Sequence, residues 1–289
     1  MFLLLFLVMR NIYTEFRKLL TAPGFYSCIF AAAILFFAAQ VYIDHATDNR
    51  YSVIQAVMEF DKEYCLQHYE LCSIMVMQAA RGGWLTLFVP IITAFCFVPS
   101  ICSQRDANAV RFQIFRSTKL KFSLSQFFSG IISAGFATAA GYAIFCGVTV
   151  FLFPSLSEYG EFEAQMIMGS GFSFPSALLG IWLYGAFWSI PAMFCTSILR
   201  NKYLIICIPF FVKYGLTQLF QRLTQEALAD YENINYDLLN FTDTVRPEAL
   251  IYVDTAPNRW WILLVFSTIS VLFLTGYLII QRAWGDPGA

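Results

Sequence analysis

The stretch Gln104-Arg-Asp-Ala-Asn-Ala-Val-Arg-Phe-Gln-Ile-Phe-Arg-Ser-Thr-Lys-Leu-Lys121 carries five basic residues, Arg105, Arg111, Arg116, Lys119 and Lys121, against a single acid, Asp106. It lies between two apolar runs, and the neighbouring gaps have the opposite sign. Asp44, Asp48, Glu59, Asp61, Glu63 and Glu70 come before it, and Glu158, Glu161 and Glu163 after it. A chain threaded repeatedly through a bilayer sorts its charge in this way, because short cytoplasmic loops retain Lys and Arg. The stretch therefore decides the fold class. It predicts an all-α integral membrane protein with both ends in the cytoplasm.

Composition agrees. Of 289 residues, 58% are hydrophobic and 13% charged, whereas soluble domains carry about 25% charged residues. The formal net charge of −1 conceals the asymmetry. With the two ends and the even-numbered gaps counted as inside, 11 bases stand there against 3 acids, while outside there are 6 bases and 16 acids. Lys213 alone falls within an apolar segment.

Six spans are expected: Gly24–Ile43, Trp84–Cys102, Phe122–Phe153, Phe174–Leu199, Tyr203–Phe220 and Trp260–Gln281. The third is long for one crossing, so it should tilt or project. Residues 1–20 begin with an apolar run too short to cross the membrane. From Met9 onward Ile12, Tyr13, Phe16, Leu19 and Leu20 recur at helical spacing opposite Arg10, Arg17 and Lys18, which reads as an interfacial helix. Two external segments, 44–83 and 221–259, are long enough to fold. Tyr51–Ala80 reads as helix, and the second segment as a short helix pair on the surface or re-entering the membrane. The whole chain, 1–289, forms a single transmembrane domain.

Chemistry-bearing motifs are scarce. There is no phosphate-binding GxxxxGK[ST] loop, no HExxH and no nucleophile elbow, and no acid lies well inside a span as drawn. Intramembrane catalysis and ion-driven antiport both need buried ionisable groups, so an enzyme is not expected, and neither is a metal centre with only His45 and His68 available. Six of the eight cysteines lie in apolar segments. Cys65 and Cys72 share an external gap and admit a disulfide only if a turn separates them, because on one helix their Cα atoms would stand roughly 10 Å apart. Asn240-Phe-Thr matches a glycosylation acceptor on the outer side, though such triplets arise readily by chance.

Within the basic gap, Ala107, Val110 and Ile114 make one helical face. Phe112 and Phe115 add apolar bulk, and Arg105, Arg111 and Arg116 add charge. Aromatic and Arg side chains are the usual anchors when a short amphipathic helix seats in a partner's groove. The plainer alternative is a basic loop that only sets topology. In the third span Ser133, Ala137 and Gly141 repeat every four residues, the small-xxx-small spacing that lets helices approach. Lys213, with Thr217 and Gln218 on the next turn, either lines a polar pathway or reaches the surface along its own stem.

The whole arrangement resembles the permease subunits of type-2 ABC exporters. The resemblance rests on the N-terminal helix with Tyr13-Thr-Glu-Phe-Arg-Lys-Leu-Leu20, on the basic gap in which Arg116-Ser-Thr-Lys-Leu-Lys-Phe-Ser123 precedes a small-residue-rich span, and on the large segment between spans five and six. One departure is that family members often carry Glu and Gly just after span two, where this chain has Arg105-Asp106-Ala107-Asn108. The resemblance implies that the loop between spans two and three docks on a separate cytoplasmic ATPase through Arg105, Val110, Arg111, Phe112, Ile114, Phe115 and Arg116. It implies pairing with a second copy or a sister permease, ATP and Mg in the partner rather than in this chain, and a bacterial cell membrane. A hydrophobic or amphipathic substrate, such as an antimicrobial peptide, drug or lipid, suits the Phe-rich spans. Lipids are expected partners and nucleic acid is not. The competing expectation is a membrane scaffold or sensor that binds an extracellular ligand without transport.

Overall fold

The computed structural model describes residues 2–44, 48–107, 109, 118–169, 171–228 and 235–283; of residues 2–9 and 283 it describes the backbone. The chain is mainly helical. Among the described residues, five helices are long and apolar enough to cross a membrane, and a bent pair at the N-terminus makes a sixth candidate. These features mark a multi-pass membrane protein.

The long helices are α6 (Trp84–Asp106), α7 (Lys119–Leu152), α9 (Phe174–Thr196), α10 (Lys202–Ala227) and α12 (Arg259–Ala283). With 34 residues, α7 rises roughly 50 Å, well beyond the roughly 30 Å of a hydrocarbon core. It is the central post, packed against α2 (Pro23–Phe37), α6 and α9. Its small residues allow the close approach. A Cβ built on Gly141 would stand 2.7 Å from the Cβ of Ala32 and 2.9 Å from the carbonyl of Ile29. Side chains pack in two layers. Phe36, Tyr142, Phe145 and Trp188 belong to the layer nearer the acidic gaps. Cys28, Phe97, Phe127 and Met193 belong to the layer nearer the basic gap.

The N-terminal region is one helix followed by a sharp bend. Helix α1 runs unbroken from Phe2 to Leu20 and packs on α7, with the Phe16 ring 6.0 Å from that of Phe136. At Thr21-Ala22 the axis bends, and the stretch Arg10–Leu20 meets α2 at 66°. Gly24 then abuts the carbonyls of Phe95 and Cys96, halfway along α6. The bent pair thus enters the bundle at mid-height.

The first span is also shorter than expected. Helix α2 stops at Phe37, and the apolar run Gln40-Val-Tyr-Ile-Asp44 is a strand, β1, paired antiparallel with β2 (Asn49–Ser52). Hydropathy cannot separate these states, but Val41, Tyr42 and Ile43 are strand-favouring residues. Asp48, next to β2, sits at φ 54°. Among the described residues the fold is that of a helical membrane protein, as expected, with one short hairpin added.

Tyr51–Ala80, expected as helical, is a series of short helical pieces. Ser52 caps α3 (Val53–Glu59) in a capping box with Gln55, Phe60 is extended, and Asp61 precedes α4 (Lys62–Gln67). A 3₁₀ turn then leads to α5 (Ser73–Ala79). Three bonds fasten these pieces down: Tyr142 Oη donates to Met77 O at 3.0 Å, Tyr159 Oη to Cys65 O at 2.9 Å, and the Ser73 amide to Pro154 O at 3.0 Å. A helix α8 (Glu161–Gly169) follows in the next acidic gap.

The second external segment folds inward. Helix α10 continues to Ala227, past the expected end at Phe220, and α11 (Tyr236–Val245) packs back on it. The chain then makes a 3₁₀ turn at Pro247–Leu250 and presses into the bundle. A Cβ on Gly180 of α9 would fall 2.5 Å from Ile251 O, so only glycine admits this backbone.

Candidate functional site

Of the residues expected to grip a partner, Val110, Arg111, Phe112, Ile114, Phe115 and Arg116 lie outside the described residues. Arg105 lies within them. At the end of α6 its guanidinium donates from Nη1 to Thr196 O at 3.2 Å and Leu199 O at 3.0 Å, and from Nη2 to Arg200 O at 3.0 Å. Thr196 is the last residue of α9, and Leu199 and Arg200 lie in the linker that follows, so the guanidinium sits where a cation complements the helix dipole. Arg105 is thus a brace that ties the end of α6 to the end of α9. The sequence showed its charge but not this engagement.

Lys213 sits roughly 16 Å along α10 and is 2% exposed. Its ammonium forms an ion pair with Glu248 of the 3₁₀ turn and lies 5.7 Å from the centroid of the Trp188 ring. An isolated ammonium at mid-membrane costs about 2.5–3.5 kcal/mol on insertion scales, and Glu248 is the compensation. Thr217 Oγ1 donates to the Lys213 carbonyl at 3.0 Å within the same helix, and Gln218 faces outward. The three do not form one polar cluster.

A second buried pair stands nearby. Arg81, in the turn between α5 and α6, is fully buried, and Asp254 is 3% exposed. Arg81 Nη1 donates to Asp254 Oδ1 at 3.2 Å, to Oδ2 at 3.1 Å and to Ile251 O at 3.3 Å. Phe172 and Tyr252 flank the guanidinium with ring centroids at 5.5 and 5.1 Å. Burial pushes the Tyr252 phenol up from its ordinary value, an effect the Arg81 charge opposes. The turn ends in Gly82-Gly83, and Gly83 has φ 60°, a conformation glycine adopts without strain. Sequence reasoning missed both counter-charges. Glu248 and Asp254 looked like any other external acid, and Arg81 like a stray base. The one usable signal was that Lys213 demanded an acid.

Ser133, Ala137 and Gly141 are all buried. Ser133 accepts from Cys96 Sγ at 3.7 Å, and Gly141 meets α2. Cys65 and Cys72 are free thiols, one inside α4 and the other capping α5. Burial pushes the Cys65 thiol up, and the nearby Asp61 adds to this.

Two regions therefore stand out. One is the basic end, where Arg105 ties the end of α6 to the end of α9 and the residues after it. The other is the inward-folded segment 246–254, held by the buried Arg81–Asp254 pair and the partly buried Lys213–Glu248 pair. No family model matches the chain, and no curated protein is similar to it.

Proposed function

We propose that this chain is the transmembrane subunit of an ATP-driven exporter of the type-2 ABC kind, with the basic gap 104–121 in the cytoplasm and docked on a separate ATPase. The observation that carries the reading is the Arg105 brace. A push on the end of α6 reaches the end of α9 and the residues after it through the three Arg105 hydrogen bonds. Two long helices then move together, which is what coupling a remote ATPase to a membrane pathway requires. Two copies, or this chain and a sister permease, would enclose the pathway, and ATP and Mg belong to the partner. Phe112, Phe115, Arg111 and Arg116 are the anchors proposed on the partner side. A hydrophobic or amphipathic substrate, taken from the bilayer and released on the acidic side, fits spans so rich in aromatic residues.

The test is co-purification. An ATPase that travels with the intact chain and is lost when Phe112 and Phe115 are both changed to Ala supports the reading. Unchanged association of that double variant removes the docking role. Labelling of a cysteine placed at position 110 by an impermeant reagent in intact cells would reverse the topology and end the proposal.

One observation favours a second reading, a ligand sensor without transport. The Arg81–Asp254 pair joins the first external segment to the second, so the acidic side forms a single built body. A chain that binds an extracellular ligand yet never associates with an ATPase would support it.

A further inference from the structure

We propose that a cleft on the acidic side, between the first external segment and the end of α7, docks a basic amphipathic peptide. The cleft is a cavity of about 210 Å³. Ala56, Val57 and Phe60 line one side of it, and Val150, Phe151 and Leu152 the other. Lys62 and Glu158 also line it and form an ion pair at 2.6 Å. Phe151 is 89% exposed and Val150 53%, and Met58, next to Val57, is 80% exposed. Exposed apolar side chains gathered around a cavity mark a binding site. The volume falls below the roughly 300 Å³ at which small-molecule pockets begin, so the cleft takes one large side chain rather than a whole small ligand.

Position and charge fix the occupant as a basic polypeptide. Helix α2 ends at Phe37, whose ring meets that of Phe145 at 5.0 Å. From Phe145 to Leu152 α7 rises roughly 10 Å further, and there it shares the cleft with α3 and α4 instead of a neighbouring span. Residues 53–67 and 146–160, which contribute every lining side chain, hold Glu59, Asp61, Glu63 and Glu158 against Lys62 alone. Glu59, Asp61 and Glu63 are exposed, and among the described residues they form no ion pair. A lipid phosphate meets repulsion here. So does the same face of a second copy, which carries the same excess of acids. A polypeptide that offers Lys or Arg beside a large apolar side chain complements both the charge and the cavity. The inference stands whether or not the chain transports anything.

Fluorescence anisotropy tests the site with the full-length protein in zwitterionic nanodiscs, without any ATPase. The probe is a short labelled peptide of Leu and Lys patterned as an amphipathic helix. The same pattern built from Leu and Glu, and empty nanodiscs, are the controls. The Lys peptide should bind the protein well above empty nanodiscs, and the Glu peptide should not. The triple variant Glu59→Gln/Asp61→Asn/Glu63→Gln should weaken binding roughly tenfold at low salt, and the loss should shrink as salt is raised. Val57→Trp keeps every acid but fills the cleft from an exposed position, and it should weaken binding as well. Equal binding by empty and protein-bearing nanodiscs, a comparison that needs no variant, overturns the proposal, because the bilayer alone then holds the peptide. So does full binding by Val57→Trp, which would show plain charge attraction, or binding of the Glu peptide as tight as that of the Lys peptide.

Discussion

Replacing Arg81 with Met removes the charge from a guanidinium that has no exposure to solvent, while leaving a side chain of similar length between Phe172 and Tyr252. Asp254, 3% exposed, is then buried opposite a thioether. At the observed 3.1 Å and an effective dielectric of about 20, the lost attraction is about 5 kcal/mol. Breaking one side of such a pair destabilises by about 3–5 kcal/mol, chiefly because the remaining charge stays desolvated. Arg81→Met alone should lose that amount, and Asp254→Leu alone should lose a similar one. The double variant Arg81→Met/Asp254→Leu buries no unpaired charge and should recover to within about 1 kcal/mol of wild type. Unfolding in SDS–detergent mixtures, followed by tryptophan fluorescence, gives the three free energies. Hydrogen exchange across residues 247–254 shows whether the loss is local. The reasoning fails if each single change costs under about 1 kcal/mol, the worth of an exposed pair, and the two effects simply add.

Lys213→Met should destabilise the packing of segment 246–254 on α10, and adding Glu248→Gln should restore part of the loss; the same unfolding assay with a double-mutant cycle reads the coupling. Gly180→Ala drives a methyl to within 2.5 Å of a backbone oxygen, so about 1–3 kcal/mol of overpacking is expected, with faster exchange at Ile251; an unchanged exchange rate would refute the close approach. The Glu158 carboxyl is held below its ordinary range, first by the hydrogen bond from Lys62 and then by the Ser155 amide. A carboxyl depressed on folding contributes stability above its unfolded pKa and loses that contribution as pH falls through the folded one. Lys62→Gln should therefore move the Glu158 titration, followed by NMR, upward toward the usual carboxylate range, and no movement would discount the pair. Arg105→Ala should free the carbonyls of Thr196, Leu199 and Arg200, which is visible as faster exchange at the α9–α10 junction with little change elsewhere.

What could be read from the sequence was whatever a local pattern encodes. Apolar runs of helical length placed α6, α7, α9, α10 and α12 to within a few residues at most ends, and the Gly and Ser spacing singled out the face of α7 that proves buried. Two things were hidden. Val41 and Ile43 continue the apolar run of α2 past the single polar residue Gln40, so only pairing with Asn49–Ser52, a contact made across the turn, reveals the strand. The counter-charges were hidden for a related reason. Arg81 and Asp254 are 173 residues apart, and nothing in the neighbourhood of either marks it as buried. Lys213 announced that a partner must exist, since its cost in lipid is large, but Glu248 was one acid among several in the adjoining gap.

The two regions of interest are joined by one helix. At its basic end α9 is fastened to α6 by Arg105. Nearer its other end Gly180 receives the backbone of Leu250 and Ile251, and between them Trp188 lies under Lys213. Side chains this closely packed do not compress, so a displacement of the α9 terminus is passed along the rod, apart from whatever Pro191 absorbs as a kink. Segment 246–254 cannot follow passively, because Arg81 holds it to the turn before α6 while Glu248 holds it to α10. A shift of α9 relative to α6 must therefore either strain those ion pairs or carry the segment with it. The consequence can be tested. A disulfide engineered between the Leu250–Asp254 stretch and α9 should leave any partner bound at the basic end, yet block every event on the acidic side that depends on it. If acidic-side events persist in the cross-linked protein, α9 is not the route between the two ends.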